Sequence, residues 1–492
     1  MDTLKGGLRM NSQEKTQIIE PGTFESHNHW YPKALNAAIH PMINFFLNLD
    51  NKLIIDRYCH LHPKVKAAKL QELVSYQPQF YCWSGADLIN VTNARGKRQM
   101  VVIENNSCPS GQKSMPLKVE NMQQGGYREL IEKSFHPYSK IRRLSQSAAI
   151  AVLYDKNIME NSGYAATMAD VFQRPVYLVP FYDGAENDHI RYKNRYIEIL
   201  GERNKWKQVT AAFRYVTQKP WNRIPVNTKT RIYNPIIACL AGGRNKLIAS
   251  KAYNHYNGEL ESLGLKIRTP ETIWDVHKDE VPLWVKRMGG QAVIKVPYSN
   301  AGQGVYTIVN ETELNDFLSR DYEYSKFIVQ SLIGNYRWSS KTESGKFFHL
   351  GTIPNAKGET YVFDMRMMIC TTPQGFKPVS VYCRRANSPL ADVLTEGDSS
   401  WDMLGTNLSR KEDSGEWTTD TKRLILMDRR DFNHLGMGLD DLIEGYIQTI
   451  LSSIAIDKMA CRLVNGRGQF NSKLFASFND DPFLIREILM EA

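Results

Sequence analysis

The sequence predicts a mixed α/β protein of several lobes, and three stretches carry that expectation. Residues 85–111 read as two short extended segments joined by a polar turn, residues 147–217 alternate strand and helix patterns, and residues 291–309 read as strand, glycine loop, strand. A chain of 492 residues is too long for one simple core, so two or three domains or interleaved lobes are expected.

In the first stretch, GADLINVTNARGKRQMVVIENNSCPSG, an apolar segment ends near Asp87, a turn follows at Asn93 and Gly96, and a strand runs from Gln99 to Glu104. Side chains of an extended chain alternate faces, which puts Glu104 and Asn106 on one side and Asn105 on the other. With Asp87 on the facing segment, they form a set of hard oxygen donors of the kind magnesium takes while keeping positions for water and phosphate. The same residues also suit a surface hairpin with a polar tip.

In chain order, residues 1–25 form a polar, flexible lead. Residues 27–73 have helical periodicity, as in AAIHPMINFFLNLDNKLIIDRY, and are expected to pack behind the two strands. His40, His60 and His62 have no third donor nearby and read as structural. The run PSGQKSMPLKVENMQQGGYREL is a connection or a loop closing over substrate, before a helix that follows Gly125-Gly126. Then come a helix through AAIAVLYDKNI, the strand PVYLVPF, a helix near RYIEILGE and the strand VTAAFRYVTQ, which together imply a small parallel sheet. Arg214, at the end of that last strand, faces a ligand or solvates the strand end.

NPIIACLAGGRNKLIASKAYNHY turns through Gly242-Gly243 into a helix carrying Lys246 and Lys251. In QAVIKVPYSNAGQGVYTIVNETELNDFL, Lys295 lies on a β-branched strand, Ser299, Gly302 and Gly304 lie in the loop, and a helix opens after Asn310. Glycines between two strands let backbone N–H groups approach phosphate, and the preceding lysine neutralises its charge. A hairpin that merely carries a lysine fits the same letters. The pattern is not a Walker loop, because no GxxxxGK[ST] occurs in the chain. KFIVQSLI is a strand ending near Gln330, and YVFDMRMMI and PVSVYCRRAN bring Arg366, Arg384 and Arg385 onto neighbouring strands, as a basic face over a ligand or a solvated sheet face. Residues 395–430 are polar and turn-rich, a surface excursion or a lid, and LDDLIEGYIQTILSSIAIDKMACRLV is a packing helix.

The net charge of +10 comes from 62 basic residues interspersed with 52 acidic ones, which favours a polyanionic ligand such as a nucleotide. No run of basic residues resembles a DNA-binding arm, so nucleic acid is not expected as the partner. The seven cysteines are an odd number and form no CxxC pair, which argues against a zinc site or a disulfide framework and fits a reducing, cytoplasmic setting. Cys108 has no activating base beside it and reads as a bystander. No signal-peptide core and no membrane-spanning run is present in the sequence.

The order of these parts carries a family resemblance. KFIVQSLI followed by FDMRMMI and CRRAN resembles the nucleotide hinge and succeeding strands of ATP-grasp enzymes, and GADLINVTNARGKRQMVVIENNSCPSG resembles the metal-ligand segment that normally follows them. Here that segment comes first. The arrangement is similar to circularly permuted ATP-grasp proteins, including eukaryotic-type glutathione synthetases and glutathionylspermidine synthetases, over residues 80–120 and 210–390. The resemblance implies two lobes clasping ATP beside a small parallel α/β substrate domain. It implies Asp87, Glu104 and Asn106 as magnesium ligands, and Lys295 and Lys246 on nucleotide phosphates. Ser299, Gly302 and Gly304 would cover those phosphates, Gln330 and Leu332 would belong to the adenine hinge, and Arg366 with Arg384 or Arg385 would steady the transferred phosphoryl group or acyl phosphate. Gln330 stands where an acidic residue is frequent, and SNAGQG is a sparser glycine run than is usual.

The implied domains are 26–120 (metal-ligand segment of the catalytic lobe), 121–240 (substrate domain), 241–326 (nucleotide lobe) and 327–492 (hinge, remaining catalytic lobe and C-terminal helices). The implied function is an ATP- and magnesium-dependent ligase joining a small-molecule or peptide carboxylate to an amine through an acyl phosphate. A phosphotransferase and a nucleotide-binding protein without turnover are the alternatives. Retention of Asp87, Glu104, Asn106 and Lys295 together argues against the last of these.

Overall fold

The helix Leu439–Arg462 is the spine of the main core in the computed structural model of the protein, which describes residues 15–118, 123–140, 148–182, 189–201, 204–298, 304–343, 345–395, 398–411 and 417–489. Leu442, Tyr446, Ile447, Ile450, Leu451 and Ile454 recur at helical spacing and are fully buried, so the amphipathic pattern becomes packing directly. Against this helix lie the helices Pro41–Asn48, Asn51–Leu61 and Ala67–Val74. Two of the three histidines of this region make structural contacts, while His60 is exposed. His40 caps the first of those helices by accepting from Met42 N, and His62 meets Glu444 at 2.9 Å.

On the same helix rests a six-stranded antiparallel sheet ordered Phe347–His349, Trp83–Asn93, Phe363–Thr372, Gly375–Arg385, Leu424–Ile425, with Arg98–Asn106 also paired to Trp83–Asn93. The early hairpin therefore sits in a sheet whose other strands come from residues 347–425. Asp457 of the long helix anchors its start, accepting from the backbone N–H of Phe80 at 2.7 Å and of Tyr81 at 2.8 Å.

A second sheet is four-stranded, in the order Thr272–His277, Lys326–Ser331, Ala292–Lys295, Val305–Ile308. The helices Val281–Arg287 and Glu311–Ser319 add Val285 and Phe317 to its apolar core. Asn310 caps the second of these, accepting from Glu313 N at 2.9 Å, while Glu313 accepts from Val309 N, a reciprocal pair legible in the sequence. The strand Lys326–Ser331 belongs to this sheet, so the division expected after residue 326 cuts through it.

The third sheet has seven strands, ordered Gln17–Ile19, Val176–Pro180, Ala149–Tyr154, Trp206–Tyr215, Tyr196–Leu200, Ile190–Lys193, with Arg231–Tyr233 also on Trp206–Tyr215. Its centre is parallel, as expected from the alternating pattern. Three details differ. AAIAVLY is a strand, not a helix, with the helix following at Ile158–Phe172. Every residue of Ala149–Tyr154 is buried, and an apolar run buried on both faces has no period to separate strand from helix. RYIEILGE contributes to a hairpin in place of the expected helix, with Arg191 on Glu198 across the strands. Residues 17–19 of the supposed lead form the edge strand.

Arg214 is fully buried and stitches the small sheet to the chain, donating to the carbonyls of Asn234 and Val216 at 2.5 Å each, and neither a ligand contact nor a solvated strand end describes it. All seven cysteines are free thiols, and burial raises Cys108 to about 11. Among the described residues no helix is long and apolar enough to cross a membrane.

Candidate functional site

A β-bulge decides which way the central carboxylate points. Asp87 pairs with Glu104 and Leu88 with Val102, so Ile103 is an extra residue without a partner. Met100 and Val102 pack toward the long helix, and regular alternation would send Glu104 after them. The bulge inverts the phase. Ile103 and Glu104 both face a cleft, Asn106 follows Glu104's side, and Asn105 turns to the helix, donating to Ser452 Oγ at 2.6 Å. Asn106 is only 4% exposed, lines a cavity, and its amide nitrogen has no hydrogen-bond partner.

Glu104 stands at the seam of two spaces. The first is a cleft of about 140 Å3 between the four-stranded sheet and the six-stranded one. Ile89, Ile103, Val293, Ile333 and Val362 give it apolar walls, and Lys246 and Lys295 give it charge. Lys295 ends the strand Ala292–Lys295, is 8% exposed, and donates to the carbonyl of the bulged Ile103 at 3.2 Å. Burial lowers its amine to about 8, with Glu104 opposing that shift and Lys246 adding to it. Lys246 begins the helix Lys246–Leu260; its Nζ is 3.5 Å from Glu104 Oε1, and its N–H donates to Pro297 O at the start of the glycine loop. Gly243, just before it, accepts from Ser107 N at 2.9 Å, and a Cβ there would lie 2.5 Å from Ser107 Cβ, so this junction needs glycine. Lys251 turns away to Asp275.

Of the expected nucleotide residues, Gln330 and Leu332 line the cleft, and Gly304 closes the loop with φ +65° while accepting from Val296 N at 2.7 Å. Ser299 and Gly302 lie outside the described residues. The hinge reading needs correction at Leu332. Its N–H donates to Ser340 Oγ at 2.7 Å and its carbonyl accepts from Ser340 N at 3.0 Å, so it offers wall contact rather than a free backbone donor. Gln330 donates to Thr272 Oγ1.

Asp87 also differs from expectation. Its two carboxylate oxygens accept from Arg366 Nε and Nη2 at 2.6 Å each, and Arg384 Nη2 approaches at 2.9 Å. Burial alone would raise its pKa, but these guanidinium groups hold it well below the usual carboxylate range. A carboxylate so engaged anchors the two arginines, whereas Glu104 and Asn106 face the cavity without such a guanidinium clamp. Arg384 is held in turn by Asp364. Arg385 is on the opposite face of its strand, 4.5 Å over the Tyr361 ring, and takes no part in either space.

The second space is wider, about 610 Å3, and opens from Glu104 toward the carboxyl ends of the small parallel sheet. Lys113, Lys156, Arg244, Tyr31, Tyr215 and Tyr382 line it together with Arg366 and Arg384. Glu160 shapes its rim, accepting from Ser110 Oγ at 2.6 Å and from the N–H groups of Gly111 and Gln112 at 2.8 Å each. Apart from Arg366 and Arg384 none of these was singled out in the sequence, because no local pattern marks them and only packing brings them here. Over both spaces runs a strap. Residues 401 and 404–407 wall the cleft, and residues 407–409 wall the cavity. Ser400 fastens it to Thr307 Oγ1 at 2.6 Å, and Arg423 grips the carbonyls of Gly405 and Asn407. The polar segment 395–430 thus includes a cover.

No family model matches the chain, and no curated protein matches it. Among solved structures it is similar to a glutathione synthetase-like effector from Globodera pallida, at 10% identity and TM-score 0.39, over 70% of this chain and 82% of that one. It is also similar to a RimK-domain ATP-grasp protein from Sphaerobacter thermophilus, at 14% identity and TM-score 0.28, over 48% and 90% of the two chains. A D-alanyl-alanine synthetase A from Vibrio cholerae is a third, at 9% identity and TM-score 0.30, over 48% and 89%. Likenesses at such TM-scores carry no weight for the reaction.

Among the described residues no three His, Cys, Asp or Glu side chains converge as a preformed metal centre. What the seam offers a divalent cation is the Glu104 carboxylate and the amide oxygen of Asn106, whose side chain lines the same cavity. Magnesium is commonly held by one or two protein oxygens with phosphate and water completing its shell, so this donor pair fits it once a polyphosphate is present.

Proposed function

We propose that the protein is an ATP-dependent carboxylate–amine ligase of ATP-grasp type, working through an acyl phosphate and releasing ADP and phosphate. The observation that carries this reading is the convergence of Glu104, Lys246 and Lys295 at the seam between an apolar cleft and a cationic cavity. The cleft takes the nucleotide, its apolar walls receiving the base and its lysines the phosphates. The cavity takes the acid.

Magnesium, held by Glu104 and Asn106, would neutralise phosphate charge as the γ-phosphoryl group transfers. Lys295 and Lys246 share that task, in a site where burial strengthens each interaction. A carboxylate oxygen of the acid attacks the γ-phosphorus, ADP leaves, and an amine then attacks the acyl carbon and expels phosphate. Arg366 and Arg384, fixed by Asp87 and Asp364, orient the phosphoryl oxygens and need no rearrangement to do so. Their charge is largely balanced by those carboxylates, so their part is positioning.

Hydroxylamine tests the route, since it intercepts an activated carbonyl without the specific amine. The hydroxamate is expected only with enzyme, ATP, magnesium and a competent acid, alongside ADP. AMP as the nucleotide product would exclude the route, and ADP with a stable phosphorylated product and no hydroxamate would make the protein a phosphotransferase.

A further inference from the structure

The wide cavity has more positive charge than one reacting carboxylate uses. Five cationic side chains line it, Lys113, Lys156, Arg244, Arg366 and Arg384, against the carboxylates of Asp87 and Glu104. Asp364, which binds Arg384, still leaves two cations in excess. Arg366 and Arg384 belong to the seam and are held by carboxylates; Lys113 and Lys156 are not. The Lys113 ammonium binds the Asn157 amide oxygen and lies 5.0 Å over the Tyr31 ring, with no acidic partner among the described residues. Lys156 follows the strand Ala149–Tyr154; its carbonyl accepts from the Asn161 side chain at 2.8 Å, while its ammonium makes no hydrogen bond or ion pair to a described residue. The nearest acidic groups are taken elsewhere, Asp155 by Arg223 and the N–H groups of Thr217 and Gln218, and Glu160 by the 110–112 loop and Asn157.

Cations without a carboxylate partner in a partly dehydrated cavity either give up a proton more readily or gain stability when an anion arrives to pair with them. The charge on Lys156 is opposed first by burial and then by Arg244, which lowers its amine to about 8 and places both cations within one field. Ligands of open α/β sheets bind outside the carboxyl ends of the parallel strands, which is where Lys156 and Tyr215 stand.

We propose that the acid taken by this cavity carries a second anionic group, carboxylate or phosphate, remote from the reacting carboxylate and seated between Lys113 and Lys156. This rests on the ligase reading only for the word reacting; the anion site itself does not depend on turnover.

The test is equilibrium binding to the full chain of size-matched panels: monocarboxylic acids, dicarboxylic acids including acidic dipeptides, and phospho-acids. Dianions are expected to bind at least tenfold more tightly than matched monoanions. Lys156→Met is expected to weaken the dianions about tenfold more than it weakens ATP, with Lys113→Met as the second variant should the first fail to fold. The dicarboxylic and phospho arms identify which group the site takes. A panel in which no dianion binds, in which monoanions bind as well, or in which both variants weaken mono- and dianions equally overturns the proposal. Dianion binding without stimulated ATP cleavage would sustain it while removing the ligase reading, and turnover of monoanions alone would do the reverse.

Discussion

The two spaces that meet at Glu104 are built differently. The cleft is walled by strand residues, Ile89, Ile103, Val293 and Lys295 among them, whose facing follows from pleat and register. The cavity shares the strand residues Asp87, Arg366 and Arg384 but adds residues that follow strands, Lys113, Lys156, Asn157 and Gln218, whose facing follows from how lobes dock. Rigid strands suit a ligand shared by many enzymes, and loops at strand ends suit the part that differs between them. On the proposed reading, nucleotide chemistry falls to pleat and substrate choice to docking.

That contrast is open to mutation, and the largest effect is expected where it is structural. Asp87→Asn leaves Arg366 and Arg384 buried against half their compensation, and breaking a buried pair costs about 3–5 kcal/mol. A large drop in unfolding midpoint is expected; an unchanged midpoint would return Asp87 to the metal. Lys295→Met keeps the side-chain volume and removes the charge aimed at phosphate, so turnover should fall roughly 10²–10³-fold with folding intact. Equal loss of ATP affinity and of acid affinity would erase the distinction between the two spaces. Glu104→Gln should lower turnover about 10²-fold and raise the magnesium concentration required, without a large change in midpoint, since its side chain is 28% exposed and its salt bridge to Lys246 is long.

The pH response sharpens the other side. Lys156 titrates near 8 in the folded protein against an ordinary value of 10.5. Its charge is present below about pH 8, so affinity for a dianion is highest there and falls as pH rises through 8, by at most about tenfold per unit until the raised pKa of the complex is passed. Between 8 and 10.5 the unfolded chain binds the extra proton, and Lys156's contribution to stability rises with pH across that window. Isothermal titration from pH 7 to 9.5 reads the binding; a flat profile would remove Lys156 from the anion site. The smallest effect belongs to Arg385→Ala, which loses a cation–π contact of about 1 kcal/mol or less and should leave turnover unchanged.

Legibility followed the same division. The long helix was readable because Leu442, Tyr446, Ile450 and Ile454 repeat on one face, and the Asn310 cap because its letters sit three residues before Glu313. Lys295 and Gly304 were readable because strand, glycine loop and strand are local. Lys156 was not, since nothing in DKN separates a site lysine from a solvated one. AAIAVLY was misread because burial on both faces removes periodicity, and Asp87 because its partners Arg366 and Arg384 lie far along the chain in an adjacent part of the sheet. Arg384 and Arg385 could not be told apart until the register put one on each face.

The extra residue at Ile103 makes the hairpin sensitive to length in an unusual way. Deleting Ile103 would restore a regular ladder in which Glu104 still stands opposite Asp87 and on the same side, while the carbonyl that receives Lys295 is gone. Deleting Asn105 instead leaves Glu104 in place and sends Asn106 toward Ser452 on the helix side. Two neighbouring deletions of equal size thus strip different halves of the seam, the lysine's resting place in one and the amide in the other. Chain length here sorts functions that point mutations blur.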